Sequence, residues 1–364
     1  MCKRILVSQT NTEDGVPFYK IGTIGSTPDA YISKELFDDY KVKYNYPRKG
    51  EVMITCAGTV GKCVVYDGED AYFQDSNIVW IDNPTQYISN GFLFHLLSKV
   101  DWRKLNSTTI IRIYNDDLRN LKMSYPRKEE QQKISHLLSL LDERIATQNK
   151  IIEKLQSLIK GLNDSLYKQY GNAITTSFSD FGYSYSGLSG KSADDFGSGK
   201  PFITYLNVYS NNVVDENDYQ YVCINEEEKQ NVVKYGDVLF TLSSETPEEV
   251  GVGSVYLGKE EVYLNSFCFG IHIENTRLAY SPYLSYYVAS TPFRKFIYPF
   301  AQGSTRFNLC KADFEKASIK LPSLENQKHI YAVLSRITEK TETERTLLRH
   351  YTTQKQYLLR QMFI

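Results

Sequence analysis

Apolar residues recur at two periods along this chain, and the change from one to the other happens twice in the same order. The positions Ile134, Leu138, Leu141, Ile145, Gln148, Ile152, Leu155, Ile159, Leu162 and Leu166 step alternately by four and three, and nine of these ten are apolar. A stripe at period 3.5 over more than four heptads predicts a long helix that packs against a partner helix. Adding 196 to each position gives Ile330, Leu334, Ile337, Thr341, Glu344, Leu348, Tyr351, Lys355, Leu358 and Met362, of which seven are apolar. The second helix keeps the register of the first. At about 40 residues each, both would be roughly 60 Å long. Neither stripe fits on a small globule, so the two helices are expected to pair with each other, antiparallel.

Ahead of each helix the texture is that of short strands and turns. In "KCVVYDGEDAYFQDSNIVWIDN" and "GSVYLGKEEVYLNSFCFGIHIEN", β-branched and aromatic residues alternate with Gly, Asn and Asp clusters. A helix is predicted after each, in "SNGFLFHLLSKVDW" and "SPYLSYYVASTPFRKFI". Three anchors recur in the same order: "GVPFYKIGTI" and "GKPFITYLNV", "KGEVMIT" and "YGDVLFT", and "STTIIRIYNDDLRNLKMSYP" and "GSTRFNLCKADFEKASIKLP". Their offsets are 184 (Pro17 to Pro201), 186 (Gly50 to Gly236) and 196 (Pro126 to Pro322), a slow drift that lengthened loops would produce. The expected fold class is α+β: two tandem repeated α/β globules separated by two long helices that pair as an antiparallel coiled coil. The expected boundaries are a first globule at 1–125, a long spacer helix at 126–170, a second globule at 171–322 and a second spacer helix at 323–364.

Composition narrows the partners only a little. The 364 residues carry 42 Lys plus Arg against 43 Asp plus Glu, a formal net charge of -1, so no global positive field announces a polyanion. Apolar runs are broken by charge well before a membrane span, and "MCKRILVSQT" has no apolar stretch of signal-peptide length. A cytoplasmic chain is expected. The six cysteines, Cys2, Cys56, Cys63, Cys223, Cys268 and Cys310, form no C-x-x-C pair and have no His at ligand spacing, which reads as reduced thiols and no metal site.

Catalytic signatures are missing. There is no G-x-x-x-x-G-K-[ST], and "GTIGS" lacks the third glycine of a dinucleotide fingerprint. The histidines (His95, His136, His272, His329, His350) are dispersed, and no serine sits in a G-x-S-x-G elbow. The pattern that holds the flipped amine in DNA amino-methyltransferases needs a second proline that "DNPT" and "YSPY" lack. Catalysis by this chain is not expected.

The helix starts "YPRKEEQQKISHLLSLLDERI" and "LPSLENQKHIYAVLSRITEKT", with the segments before them, resemble the specificity subunits of type I restriction-modification enzymes. "KGEVMIT" and "YGDVLFT" look like that family's Gly-Asp-[IV] strand, and "SGLSGKSADDFGSGKPFITYLNV" resembles the opening of a target-recognition domain. The resemblance covers nearly the whole chain and implies a noncatalytic DNA reader. Each globule would be a target-recognition domain for one half of a bipartite, asymmetric site in double-stranded DNA, with the helices as a ruler. Two methyltransferase subunits would dock on it, and restriction subunits would join for cleavage. The chain would hold no cofactor, while the complex would use S-adenosylmethionine, and ATP with Mg²⁺ when restriction subunits are present. One departure is visible: about 30 residues precede Pro201 within the second copy, but only 16 precede Pro17 in the first. The first recognition domain is therefore expected to lack part of its lead-in.

Under this reading the base readers are Arg, Lys, Asn, Gln, Ser and Thr side chains on loops. The loop before the final anchor offers Arg103, Lys104, Asn106, Ser107, Thr108, Thr109 and Arg112 in the first copy, and Arg294, Lys295, Gln302, Ser304, Thr305, Arg306 and Asn308 in the second. A second patch follows the Gly-acid-Val strand: Thr55, Thr59 and Lys62, and Ser243, Ser244 and Glu245. Gln74 and Lys200 complete the set. Helix pairing would fall to Ile134, Leu138, Leu141, Ile145, Ile152, Leu155, Ile159 and Leu162 against Ile330, Leu334, Ile337, Leu348, Tyr351 and Leu358. A competing reading is a protein-only coiled-coil scaffold that joins partners without DNA contact. It matches the neutral charge but leaves the recurrence of basic and hydroxyl residues at one loop unexplained.

Overall fold

The structure, a computed structural model, describes residues 2–74, 77–104 and 112–362. The chain divides into two compact units, residues 1–149 with 346–364, and residues 150–345. No helix among the described residues is long and apolar enough to cross a membrane.

Each unit is organised around one fully buried strand, Val52–Thr55 in the first and Val238–Thr241 in the second. A strand flanked by neighbours and covered on both faces has no reason to alternate polar with apolar. Its alternation shows instead in which core each side chain joins. Val52 and Ile54 enter one cluster with Leu93 and Leu97, while Met53 enters another with Phe18 and Tyr72. In the second unit Val238 and Phe240 point one way and Leu239 the other.

The flanking strands are Cys63–Val65 and Ile78–Trp80 in the first unit, and Gly253–Val255 and Cys268–Ile273 in the second. The second sheet has a fourth strand, Gly182–Ser186, paired with Cys268–Ile273.

The glycines of "KGEV" and "YGDV" sit at φ +86° and +92°, a turn that favours glycine. The acid that follows closes the same loop in both copies. The carboxylate of Glu51 accepts the Arg48 N–H at 2.8 Å, and that of Asp237 accepts the Lys234 N–H at 2.8 Å. Asp237 also receives the Tyr185 hydroxyl at 2.7 Å and faces His272 Nδ1, and burial raises its carboxyl above the usual range.

The long helices run Lys128–Tyr170 and Leu324–Met362, 43 and 39 residues. In the first turn of each, a glutamine is withdrawn from water, Gln131 at 1% and Gln327 at 0% exposure. Gln131 Oε1 accepts from Ser89 N at 2.8 Å, and its amide donates to the carbonyls of Tyr87 (3.0 Å) and Pro126 (2.9 Å). Gln327 repeats the geometry: it accepts from Tyr280 N at 2.8 Å and donates to Leu278 and Pro322, both at 2.9 Å. Ser89 and Tyr280 are the residues that begin the helices Asn90–Lys99 and Ser281–Tyr287. One side chain thus satisfies the exposed end of a second helix and the proline turn leading into its own.

Beyond the clamp, burial follows the 3.5-residue stripe. Leu138, Leu141, Ile152, Ile330 and Leu334 are buried, while Ile134, Ile145, Leu155, Ile159, Leu162, Ile337, Leu348, Tyr351 and Leu358 are half-buried. The polar interruptions stay in the seam: Gln148, Thr341 and Glu344 are buried. In the first unit Asp142 pairs with Lys355, and the Arg144 guanidinium reaches Tyr351 at 3.4 Å. Rising numbers on one helix meet falling numbers on the other, so the two segments run antiparallel. The stripe is shared with the globular parts. Leu138 packs with Phe92 and Leu358, and in the second unit Ile159 and Leu162 meet a core containing Ile330, Leu334 and Leu284.

Replacing Gln327 with Ala leaves one N–H and two carbonyls without a partner, at a cost of about 3 kcal/mol. Denaturant unfolding should show a clearly lowered midpoint for Gln327→Ala and for Gln131→Ala. The exposed neighbour variant Gln132→Ala should stay within about 0.5 kcal/mol of the parent.

Candidate nucleic-acid interface

In the second unit the loop before the final anchor is a β-hairpin, Ala301–Gly303 paired with Phe307–Leu309. Leu309 enters the core and Phe307 packs against it, so the alternate position Asn308 is exposed, directly opposite exposed Gln302. Gly303 (φ +145°) starts the turn. A Cβ there would lie 2.1 Å from the Arg306 carbonyl oxygen, so only glycine lets the chain close this tightly. Ser304, Thr305 and Arg306 form the exposed tip.

A third strand, Ser243–Ser244, lies along the hairpin, with Ser243 opposite Asn308 and Ser244 opposite Phe307. The two patches distinguished in the sequence are therefore one three-stranded sheet.

Three candidate readers turn out to be framework. Ser243 and Ser244 are 6% and 8% exposed because the hairpin covers them, and the Ser244 hydroxyl bonds Glu249 at 3.2 Å. Arg294 donates to the carbonyls of Gly251 (2.7 Å), Glu248 (2.6 Å) and Val250 (2.7 Å). Burial of this guanidinium lowers its pKa from the usual arginine range. Arg294 was expected to face DNA, but three converging carbonyls of one turn hold its fork inward. Lys295, Glu245 and Lys200 are exposed.

Sequence reading passed over Tyr205 and Tyr209, whose rings stack at 6.0 Å. The Tyr205 hydroxyl donates to the Ser243 carbonyl at 2.9 Å, and hydrogen bonds from Tyr209 and then Ser244 lower the Glu249 carboxyl. Their spacing of four within the short helix Tyr205–Ser210 is the signal that would have found them.

In the first unit a cleft of about 480 Å³ is lined by Thr59, Lys62 and Arg103, together with Gly58, Gly61 and Trp102. It joins the turn after Val52–Thr55 to the turn after the helix Asn90–Lys99. The Thr59 hydroxyl donates to the Ile21 carbonyl at 2.8 Å, while Lys62, Arg103 and Lys104 are exposed. Trp102, also missed from sequence, is buried, its indole N–H has no partner among the described residues, and a Cβ on Gly61 would lie 2.2 Å from its ring.

Thr55 is a further correction. It is fully buried, donates to the Thr59 carbonyl and accepts from Lys62 N at 3.1 Å, closing the turn. Thr241 does the same for Val252 N at 3.0 Å. Gln74 accepts from Ile21 N at 3.2 Å. Arg112 is half-buried, 6.0 Å from the Tyr114 ring, and its charge offsets part of the burial that pushes the Cys56 thiol up to about 11. Asn106, Ser107, Thr108 and Thr109 lie outside the described residues.

The two copies share one further bond to the core. Ile113 N donates to the Cys56 carbonyl at 2.9 Å, and Leu309 N to the Leu242 carbonyl at 2.8 Å. Among the described residues no cluster of His, Cys, Asp and Glu could hold a metal ion.

Residues 1–157 and 188–350 each match the family described as the Type I restriction modification DNA specificity domain. A putative type I restriction enzyme specificity subunit of Haemophilus influenzae is 49% identical over 160 residues, 44% of this chain and 41% of that protein. The match thus spans about two fifths of that relative.

Two solved structures share the fold. The type I restriction-modification S subunit from M. genitalium superposes with a TM-score of 0.57 at 14% identity, covering 100% of this chain and 92% of that one. A structure addressing complex assembly and conformational transition of a type I restriction-modification system gives 0.55 at 16% identity, covering 97% and 92%.

The two arginines of the second copy separate structure from surface. Arg294→Ala should destabilise the second unit by about 2 kcal/mol, since three carbonyls lose a charged donor. Arg306→Ala should leave the unfolding midpoint within about 0.5 kcal/mol of the parent. Thermal unfolding of the two variants side by side reads the difference.

Proposed function

The chain belongs to the type I restriction-modification DNA specificity family, and from that premise we propose that it is the sequence-reading subunit of a DNA-modifying complex. Each unit reads one half of a bipartite, asymmetric site in double-stranded DNA. The observation that carries this reading is the second unit's exposed hairpin: Gln302 and Asn308 face each other on paired strands anchored to the core through Phe307 and Leu309, and Ser304, Thr305 and Arg306 stand at the tip between them. Amide, hydroxyl and guanidinium groups are the side chains that distinguish base edges in the major groove. A turn closed by paired strands presents them with less ordering cost than a free loop.

In the first unit the cleft formed by Thr59, Lys62 and Arg103 takes the corresponding role. Its side chains differ from those of the hairpin, so its half-site differs too. Helices of 43 and 39 residues set the separation of the two half-sites and offer a surface on which two methyltransferase subunits dock. The chemistry belongs to those subunits, which use S-adenosylmethionine. ATP and Mg²⁺ enter when restriction subunits join. With a formal net charge of -1, the isolated chain binds DNA modestly and with a steep salt dependence, and the partners complete the clamp.

Mapping methylated bases in cells with and without the gene tests the assignment directly. A split, asymmetric motif should lose its methylation when the gene is removed; an unchanged methylome would defeat the proposal. Arg306→Ala with Asn308→Ala should relax one half of the motif by one to two base positions, each worth about 1–3 kcal/mol, while the other half stays intact. Inserting one heptad into both long helices should shift the permitted spacer. Retention of the original spacer would remove the helices' role as a ruler.

A further inference from the structure

One turn of the framework is common to the two units, and its last residue differs in chemistry between them. In the second unit this turn joins Tyr263–Leu264 to Cys268–Ile273 and is tied down at both ends. Asn265 N donates to the Ile203 carbonyl at 3.0 Å, and Cys268 N to the Asn265 carbonyl at 3.0 Å. The first unit repeats both bonds, from Gln74 N to the Tyr19 carbonyl at 2.9 Å and from Ile78 N to the Gln74 carbonyl at 3.3 Å. The residue that ends the turn then joins a row of three backbones. Leu242 N donates to the Phe267 carbonyl at 2.9 Å, while the Leu242 carbonyl accepts from Leu309 N. In the first unit Cys56 N donates to the Asn77 carbonyl at 2.7 Å, while the Cys56 carbonyl accepts from Ile113 N. Phe267 and Asn77 therefore occupy the same place in the fold, and neither falls in the patches distinguished above.

Along that row in the second unit, Leu309 is core and Leu242 packs against it, but Phe267 is 57% exposed, more than any other phenylalanine among the described residues. Its backbone is pinned a second time, since Phe267 N donates to Asn265 Oδ1 at 2.9 Å. A phenyl ring stabilises a fold by leaving water, so a ring held in water by a closed turn does little for folding. Its neighbours suggest another use. Leu242 is followed by Ser243, whose strand partner is Asn308, and Asn308 in turn faces Gln302. Adjacent strands lie about 4.8 Å apart, which puts the Phe267 backbone about 10 Å from the return strand of the hairpin. A major groove about 12 Å wide spans both.

We propose that this turn position determines specificity in both half-sites: the Phe267 ring reads a thymine through its C5-methyl group, and the Asn77 amide reads an adenine. The inference rests on the reading of the hairpin as a DNA-facing surface and adds a base class to it. Thymine is the base that shows an apolar group in the major groove, and a phenyl ring has no donor or acceptor with which to tell the other edges apart. A carboxamide matches adenine N6 and N7 with one acceptor and one donor. A partner protein is the competing occupant of the exposed ring. Identical partner subunits would meet the same side chain in both units, whereas half-sites of different sequence call for different ones.

The test uses the full chain with its methyltransferase partners and the motif that methylome mapping supplies. Phe267→Ala should relax one A·T pair in one half of the motif and Asn77→Ala one A·T pair in the other, while Phe267→Leu, which keeps an apolar contact, should leave the motif unchanged. A second measurement needs no variant to fold. In duplexes bound by the parental complex, replacing thymines with uracil one at a time, on either strand, removes only the methyl group. One replacement in the half that Phe267→Ala relaxes, or in either half if that variant does not fold, should weaken binding about fourfold, the worth of one buried methyl. With Phe267→Ala this sensitivity should vanish. The proposal is overturned if no uracil replacement weakens binding, if Phe267→Ala keeps the same methyl sensitivity, or if a folded Phe267→Ala chain loses methylation at every site, the mark of a partner contact. A motif that vanishes with the gene but is unchanged by the Phe267 and Asn77 variants removes this position alone; a methylome indifferent to the gene removes the DNA-reading assignment itself.

Discussion

Everything outside the two globular cores hangs on a buried primary amide. A glutamine in the first turn of each long helix spends both donors and its acceptor on backbone groups of three separate places: the turn before its own helix, the approach to a neighbouring helix, and that helix's start. An amide is the one uncharged side chain that offers two donors and an acceptor at the end of a flexible stem. Glutamate would put an acceptor oxygen where the amide donates to two carbonyls, and leucine would strand all three groups. The direction in which each long helix leaves its globule is therefore fixed by hydrogen bonds in a buried site, where directional bonds are strongest and mismatches cost most.

Much of this was legible in the sequence because it is periodic. The 3.5-residue stripe carried through Gln148, Thr341 and Glu344 even where it turned polar, since the seam is a property of geometry and not of each side chain. The recurrence of "KGEV" as "YGDV" was legible because a glycine at positive φ followed by an acid is a local device, closed by a bond three residues back.

What escaped was everything decided by long-range neighbours. Arg294 and Arg306 are the same residue type twelve positions apart. Only the fold reveals that three carbonyls converge on the first while the second stands at the tip of a hairpin. Ser243 and Thr55 read as surface hydroxyls, yet one is covered by a strand from 65 residues later and the other closes a turn from beneath. Strand pairing was hidden as well: Cys268–Ile273 is covered by Gly182–Ser186, while among the described residues Ile78–Trp80 pairs only with Val52–Thr55, a difference that the similar anchors do not disclose.

The hairpin at Ala301–Leu309 has one further property. It is tied to the body by the Leu309 and Phe307 side chains, by the Leu309 N–H on the Leu242 carbonyl and by backbone pairing with Ser243–Ser244, while the side chains of Gln302, Ser304, Thr305, Arg306 and Asn308 are exposed. Sequence change at those five positions is thus nearly invisible to folding. A lineage can exchange one set of tip residues for another without compensating changes beneath, so what the surface recognises can drift quickly while the scaffold that presents it stays still.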